Sequence, residues 1–159
     1  AIKNRVVNYV NGDQRRFDEL MKVFLEGDYR LTQRAAWSVG EIGAKHPALV
    51  KKHIPGMLKK LHGKELHDAV PRNIMRVFQY LKIPEKYCAQ ALDLCYGYIK
   101  NESAAVAIRA NAITVALNIN LRFPELIPEF LLLLNEVRSV PQTAAMNVRI
   151  KRAMILLQA

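Results

Sequence analysis

Arg34, Arg72, Arg109 and Arg149 stand 38, 37 and 40 residues apart, and each opens a similar pattern of apolar residues. Five places on come Val39, Val77, Thr114 and Met154, and eight places on come Ile42, Tyr80, Leu117 and Leu157. All but Thr114 are apolar, at a spacing that fits one face of a helix. A chain with such a period folds as stacked copies of one supersecondary unit, because a single copy cannot bury its own apolar face. Residues 104–121 carry one charge, Arg109, with alanines at 104, 105, 107, 110, 112 and 116. A helix apolar on most sides is expected to be buried on most sides, here between the preceding repeat and the last helix.

A second marker follows the first three arginines after 13, 12 and 15 residues, at Pro47, Pro84 and Pro124. Proline is tolerated in the first turn of a helix, where a missing N–H costs least. Apolar residues recur three, seven and ten places beyond each proline: Val50, Ile54 and Met57; Tyr87, Ala91 and Leu94; Ile127, Leu131 and Leu134. Each unit therefore reads as helix, short turn, helix. Pro55 and Pro128 fall inside two of these patterns, where each is expected to end a short first turn and restart the helix. Before Arg34, Ile2, Val6, Val7 and Val10 mark one short helix, and Phe17, Leu20, Met21, Phe24 and Leu25 mark another, with Asn11-Gly12-Asp13 as turn and cap. After Pro141 a single helix remains. No period-two alternation points to strands. The expectation is an all-α chain, one domain of four helix pairs plus a terminal half repeat, with units 1–27, 28–64, 65–101, 102–139 and 140–159.

This arrangement resembles the HEAT repeats of the armadillo-like superfamily. The matching steps are Ile108-Arg109 and Val148-Arg149, with Gln33-Arg34 and Pro71-Arg72 as weaker versions. The run from Arg34 to Gly43 is similar to a family first helix, and Pro124-Glu125-Leu126-Ile127-Pro128 to the start of a family second helix. The resemblance implies a right-handed α-α superhelix whose second helices line a concave side. It also implies a ladder between aspartates and the repeated arginines, for which Asp28, Asp68 and then Glu102 are the acidic residues upstream. Some alkylpurine DNA glycosylases share the architecture, but this chain has one tryptophan and no assignable catalytic aspartate.

The formal charge is +10 with histidine neutral. At 51% apolar and 24% charged, the composition is that of a folded chain. Its apolar runs, 104–108 and 131–134, fall short of the ~18 residues a membrane span needs. No signal-peptide series opens the chain, and a first residue of Ala1 points to processing or trimming. The excess charge is concentrated: between Gly43 and Lys64 lie Lys45, Lys51, Lys52, Lys59, Lys60 and Lys64 with no carboxylate. One reading is a solvated lysine face on an amphipathic helix, and the other is an anion or partner patch on a second-helix surface. The next second helices add Lys86 and Lys100 against Glu85 and Asp93, then Glu125, Glu129 and Glu136 against Arg138. The basic stripe fades and reverses, which favours a local patch over a groove for a long duplex.

Trp37, the single tryptophan, reads either as a residue packed between repeats or as a stacking surface beside that patch. Arginine repeated at one structural place is expected to bond carboxylates or helix-end carbonyls between units, as its forked donors allow. Cys88 and Cys95 lie seven apart on one helix, roughly 10 Å by helical rise, too far for a disulfide. Unpaired thiols suit a reducing, cytoplasmic setting. The spacings of His46, His53, His62 and His67 match no zinc motif, and no phosphate loop, nucleophile elbow or H-E-x-x-H occurs. No catalytic residue, metal or cofactor is assigned. The function these features suggest is a non-enzymatic scaffold or adaptor for a protein or peptide, with nucleic-acid binding through the local patch as the alternative.

Overall fold

Three helices begin on residues whose side chains cap them. Asp13 accepts a hydrogen bond from the Arg16 N–H at 2.9 Å, Asp28 from the Leu31 N–H at 2.9 Å, and Thr143 from the Met146 N–H at 3.3 Å. Each satisfies a donor that the first turn of a helix leaves without an internal partner. The computed structural model describes residues 1–159 and is all-α, without strands. Its helices are α1 (Ile2–Val10), α2 (Gln14–Glu26), α3 (Tyr29–Lys45), α4 (Pro47–Val50), α5 (Ile54–Leu61), α6 (Ala69–Phe78), α7 (Glu85–Lys100), α8 (Val106–Arg122), α9 (Ile127–Arg138) and α10 (Ala144–Leu157). Short 3-10 turns at Lys51–His53 and Pro124–Leu126 lead into α5 and α9. Both restarts come one residue before Pro55 and Pro128, so proline sits at a helix start, where it needs no N–H.

Residues Ala1–Lys82 and Ile83–Ala159 form two compact units. In the first, α3 packs against α1, α2 and α6, and α5 against α2 and α6. Asn11 and Gly12 turn the chain between α1 and α2 with φ of 42° and 74°, a left-handed conformation that asparagine and glycine enter most easily. Phe17, Met21 and Phe24 of α2, with Ile54, Met57 and Leu58 of α5, are fully or almost fully buried. The α3 to α6 contact is close: a Cβ on Gly43 would lie 2.7 Å from Val77 Cγ2 and 3.0 Å from Val50 Cγ2. In the second unit α8 packs against α7, α9 and α10, and ten of its residues are buried. This is how neighbouring helices of an α-solenoid pack, and it accounts for a helix apolar on most sides.

The apolar registers differ from expectation in α6, α7 and α9. In α9 the buried stripe is Phe130, Leu133, Leu134 and Val137, and Ile127 and Leu131 of the expected stripe are half-buried. Tyr80 was placed on the buried face of its helix, yet α6 ends at Phe78 and Tyr80 is exposed. Pro84 biases Ile83 away from helical geometry, and the chain leaves the helix through turns closed by Tyr80 N–H to Val77 O and Leu81 N–H to Phe78 O. In α7 the buried stripe is Cys88, Ala91, Leu92, Cys95 and Ile99, about one residue on from the stripe anchored at Tyr87, which is half-buried.

The repeated arginines divide by unit. Arg109 is 6% exposed and its Nε and Nη2 donate to Ile99 O at 3.2 and 2.8 Å, closing the last turn of α7. Arg149 of α10 donates to Ala110 O, Asn111 Oδ1 and Thr114 Oγ1 of α8. Arg34 and Arg72 are exposed instead. In the first unit the tie between α3 and α6 comes from Arg76, whose Nη2 lies 2.9 Å from Glu41 Oε2. Asp28, expected from the resemblance to belong to a ladder with the arginines, serves as the N-cap of α3.

Candidate functional site

The lysines between 45 and 64 all belong to the first unit, and three stand at helix C-termini. Lys45 occupies the last turn of α3, and Lys59 and Lys60 the last turn of α5, where a cation complements the partial negative charge of the exposed carbonyls. Lys51 and Lys52 lie on the 3-10 turn before α5, and Lys64 follows α5. The sequence window that holds them contains no carboxylate, but folding supplies two. Lys45 Nζ pairs with Glu41 Oε1 at 3.0 Å, and Lys52 Nζ with Asp18 Oδ2 at 2.6 Å. Lys60 is half-buried and its Nζ reaches Leu25 O at 3.5 Å, at the end of α2. Three of the six lysines are therefore engaged with protein groups. Lys51, Lys59 and Lys64 are exposed and make no ion pair.

Asp18 is the electrostatic centre of this region. It accepts from Lys52 Nζ and His53 Nε2, both at 2.6 Å, and from Gln14 Nε2 at 2.7 Å. A carboxylate only accepts, so the His53 Nε2 that faces it carries the proton. Burial raises the Asp18 carboxyl, but the hydrogen bonds from Lys52, His53 and Gln14 outweigh it and hold the group down at about 2, against an ordinary 3.8. Glu41 is lowered as well, first by its hydrogen bond from Arg76 and then by that from Lys45. Because the folded Asp18 titrates below its unfolded value, it contributes stability above about pH 4 that is lost as pH falls toward 2. Asp18→Asn is expected to lower the melting temperature at neutral pH and to flatten the decline between about pH 4 and pH 2. An acid limb identical to that of the unsubstituted protein in a pH series of thermal melts would contradict this assignment.

Asp18 and Glu41 were not among the residues singled out by sequence. Their signal is an offset near one repeat: Asp18 meets Lys52 34 residues on, Leu25 meets Lys60 35 on, and Glu41 meets Arg76 35 on. Trp37 is half-buried on α3, with the Lys3 ammonium of α1 5.4 Å from its ring centroid. It lies where α1 and α3 meet, with part of its surface still accessible. The histidines are dispersed: His53 bonds Asp18 and meets the Phe17 ring edge-on, whereas His67 accepts from its own Ala69 N–H and meets Tyr29. No group of three His, Cys, Asp or Glu side chains is arranged to hold a metal. The exposed lysines of this region, Lys51, Lys59 and Lys64, are ammonium groups able to attract carboxylates or phosphates.

No helix is long and apolar enough to cross a membrane. A family model described as a HEAT repeat domain matches residues 2–158. No curated protein and no solved structure matches the chain.

Proposed function

The chain belongs to the HEAT-repeat family, and from that premise we propose that it is a non-enzymatic scaffold or adaptor whose helical surface holds a protein or peptide partner. The observation that carries this reading is the division of the lysine cluster. Lys45, Lys52 and Lys60 are tied to Glu41, Asp18 and Leu25 O, which leaves Lys51, Lys59 and Lys64 as a small exposed set. Three cations suit a few carboxylates on a partner better than a run of phosphates. Cys88 and Cys95 are buried and not disulfide-bonded, which supports a cytoplasmic setting.

Affinity capture with the purified chain should retain a protein that a Lys51→Glu/Lys59→Glu/Lys64→Glu variant retains poorly. Absence of any protein partner, together with turnover of a substrate by the purified chain, would overturn the reading.

The same three exposed lysines support a second reading, local binding of nucleic acid. Three phosphate contacts imply a salt slope of about −2 to −3 in a log–log plot of affinity against salt. Oligonucleotide affinity that is unaltered in the triple variant would eliminate it.

A further inference from the structure

Arg109 is buried, at 6% exposure, and forms no ion pair, although a charge taken out of water is ordinarily paired. Its Nε and Nη2 each donate to Ile99 O, and Nη1 bonds no protein acceptor. Asn120 Oδ1 is the one buried side-chain oxygen or nitrogen without a partner, so Nη1 is not sealed inside the protein and reaches open space. That space is a partly enclosed cavity of about 220 Å³ where the ends of α7 and α9 approach the start of α8, with Arg109 in its wall. Lys100, Glu102 and Glu136 also line it, are exposed, and form no ion pair with Arg109 or with one another. The cavity thus has a buried guanidinium inside and two carboxylates and an ammonium at its rim. One edge of the guanidinium is spent on Ile99 O. The other offers one N–H from Nη1 and one from Nη2, the parallel pair that fits the two oxygens of a carboxylate.

We propose that this cavity binds a carboxylate that has a cationic group close by: an acidic side chain next to a basic one in a peptide, or a small free zwitterion. Arg109 takes the carboxylate, and Glu102 and Glu136 take the cation. Those two glutamates decide against a polyanion, since a run of phosphates or an anionic lipid surface would bring further negative charge against them. The volume admits a side chain or a small molecule but not a helix, whose diameter with side chains is about 10–12 Å. A further repeat of the same chain would not fill it either. Solenoid units contact only their neighbours, so such a repeat would stack against α9 and α10, whereas the cavity lies between α7 and α9, which are already in contact. The site shares no residue with Lys51, Lys59 and Lys64 and does not depend on the adaptor reading, so the two fail separately.

Heteronuclear NMR titration of the full chain, following the Arg109 Nε–H and the amides of Ser139, Val140 and Gln142, tests the proposal. The probes are the capped peptides Gly-Glu-Lys-Gly, Gly-Glu-Gln-Gly and Gly-Gln-Lys-Gly, together with β-alanine, acetate and inorganic phosphate. Saturable shifts are expected with the Glu-Lys peptide or with β-alanine, and binding about tenfold weaker for any probe that lacks either charge. A response to the peptide alone assigns the site to a partner segment, and a response to β-alanine alone to a free zwitterion; each supports the proposal. Glu102→Gln/Glu136→Gln should erase the preference for the Glu-Lys over the Glu-Gln peptide. Because Arg109 also holds α7, its own substitution is a poor test. Val140→Trp instead fills the cavity from an exposed position and should abolish binding with an unchanged thermal melt. No saturable shift with any zwitterionic probe, phosphate or acetate binding as tightly as both, or binding that survives Val140→Trp would overturn the proposal.

Discussion

Gly40→Ala is expected to cost the protein about 2 kcal/mol, although alanine is the better helix former by about 1 kcal/mol. Gly40 lies in the interior of α3, facing α6, and is buried. A Cβ built there would collide with Asn73 Oδ1 and lie 2.8 Å from Asn73 Cγ and 3.0 Å from Asn73 Cβ. Asn73 is itself 6% exposed and cannot swing out to solvent, and its Nδ2 is bonded to Ala69 O at 2.8 Å. Relief therefore requires α3 and α6 to separate, which would loosen the neighbouring contact of Gly43 with Val77. Overpacking a helix contact of this kind costs roughly 1–3 kcal/mol beyond the propensity gain.

A thermal melt measures the loss, and a double mutant identifies its cause. Asn73→Ala removes the obstructing amide, so Gly40→Ala/Asn73→Ala should be more stable than the two single losses added together, a coupling of about 1 kcal/mol or more. Strict additivity would show that the two residues do not compete for one space. Equal or greater stability of Gly40→Ala alone would show that the helix approach is not tight there.

The same pair of helices shows what the sequence makes legible and what it does not. The repeat of arginines and prolines announces helix pairs, and the boundaries follow closely because Asp13, Asp28, Thr143 and the prolines act within a turn of their own position. Glycine at 40 and 43, by contrast, reads as ordinary helix weakness until its partner helix is known. The lysine cluster fails for a related reason. Between Gly43 and Lys64 it is uniformly basic, and only packing one repeat away brings Asp18 to Lys52 and His53. Local charge is readable from the chain, whereas net charge at a surface depends on which helices become neighbours. Trp37 shows the limit for aromatic residues. Its helical phase leaves packing and exposure both open, and what the phase does not show is that α1 brings Lys3 over the half-buried ring. The exposed stripe of α10 is hidden in the sequence in the opposite way, since Val148 and Ile155 have the same chemistry as the buried Ile150 and Met154.

Arg109→Ala is expected to be the most damaging single substitution in the second unit, at about 3–5 kcal/mol. Hydrogen bonds from a charged donor contribute about 1.5–3 kcal/mol net of exchange with water, and leaving a buried acceptor unpaired costs about 1–3. Here one guanidinium makes two such bonds to Ile99 O, and Ile99 is wholly buried. The side chain has no carboxylate partner; its charge is offset by the negative end of α7, whose last turn it closes. Removing it opens a cavity between α7 and α8 as well, two helices that pack directly. Arg109→Met refills much of that volume but offers no donor, so its loss should be smaller than that of alanine by the cavity contribution alone. Arg109→Lys keeps the charge without the fork and should fall between methionine and the native arginine. Chemical denaturation of the three variants separates these contributions. If methionine were as stable as arginine, Arg109 would be replaceable packing and the repeated arginine would have no hydrogen-bonding role in this unit. If lysine were equivalent to arginine, a point charge at the end of α7 would suffice and the forked geometry would be incidental.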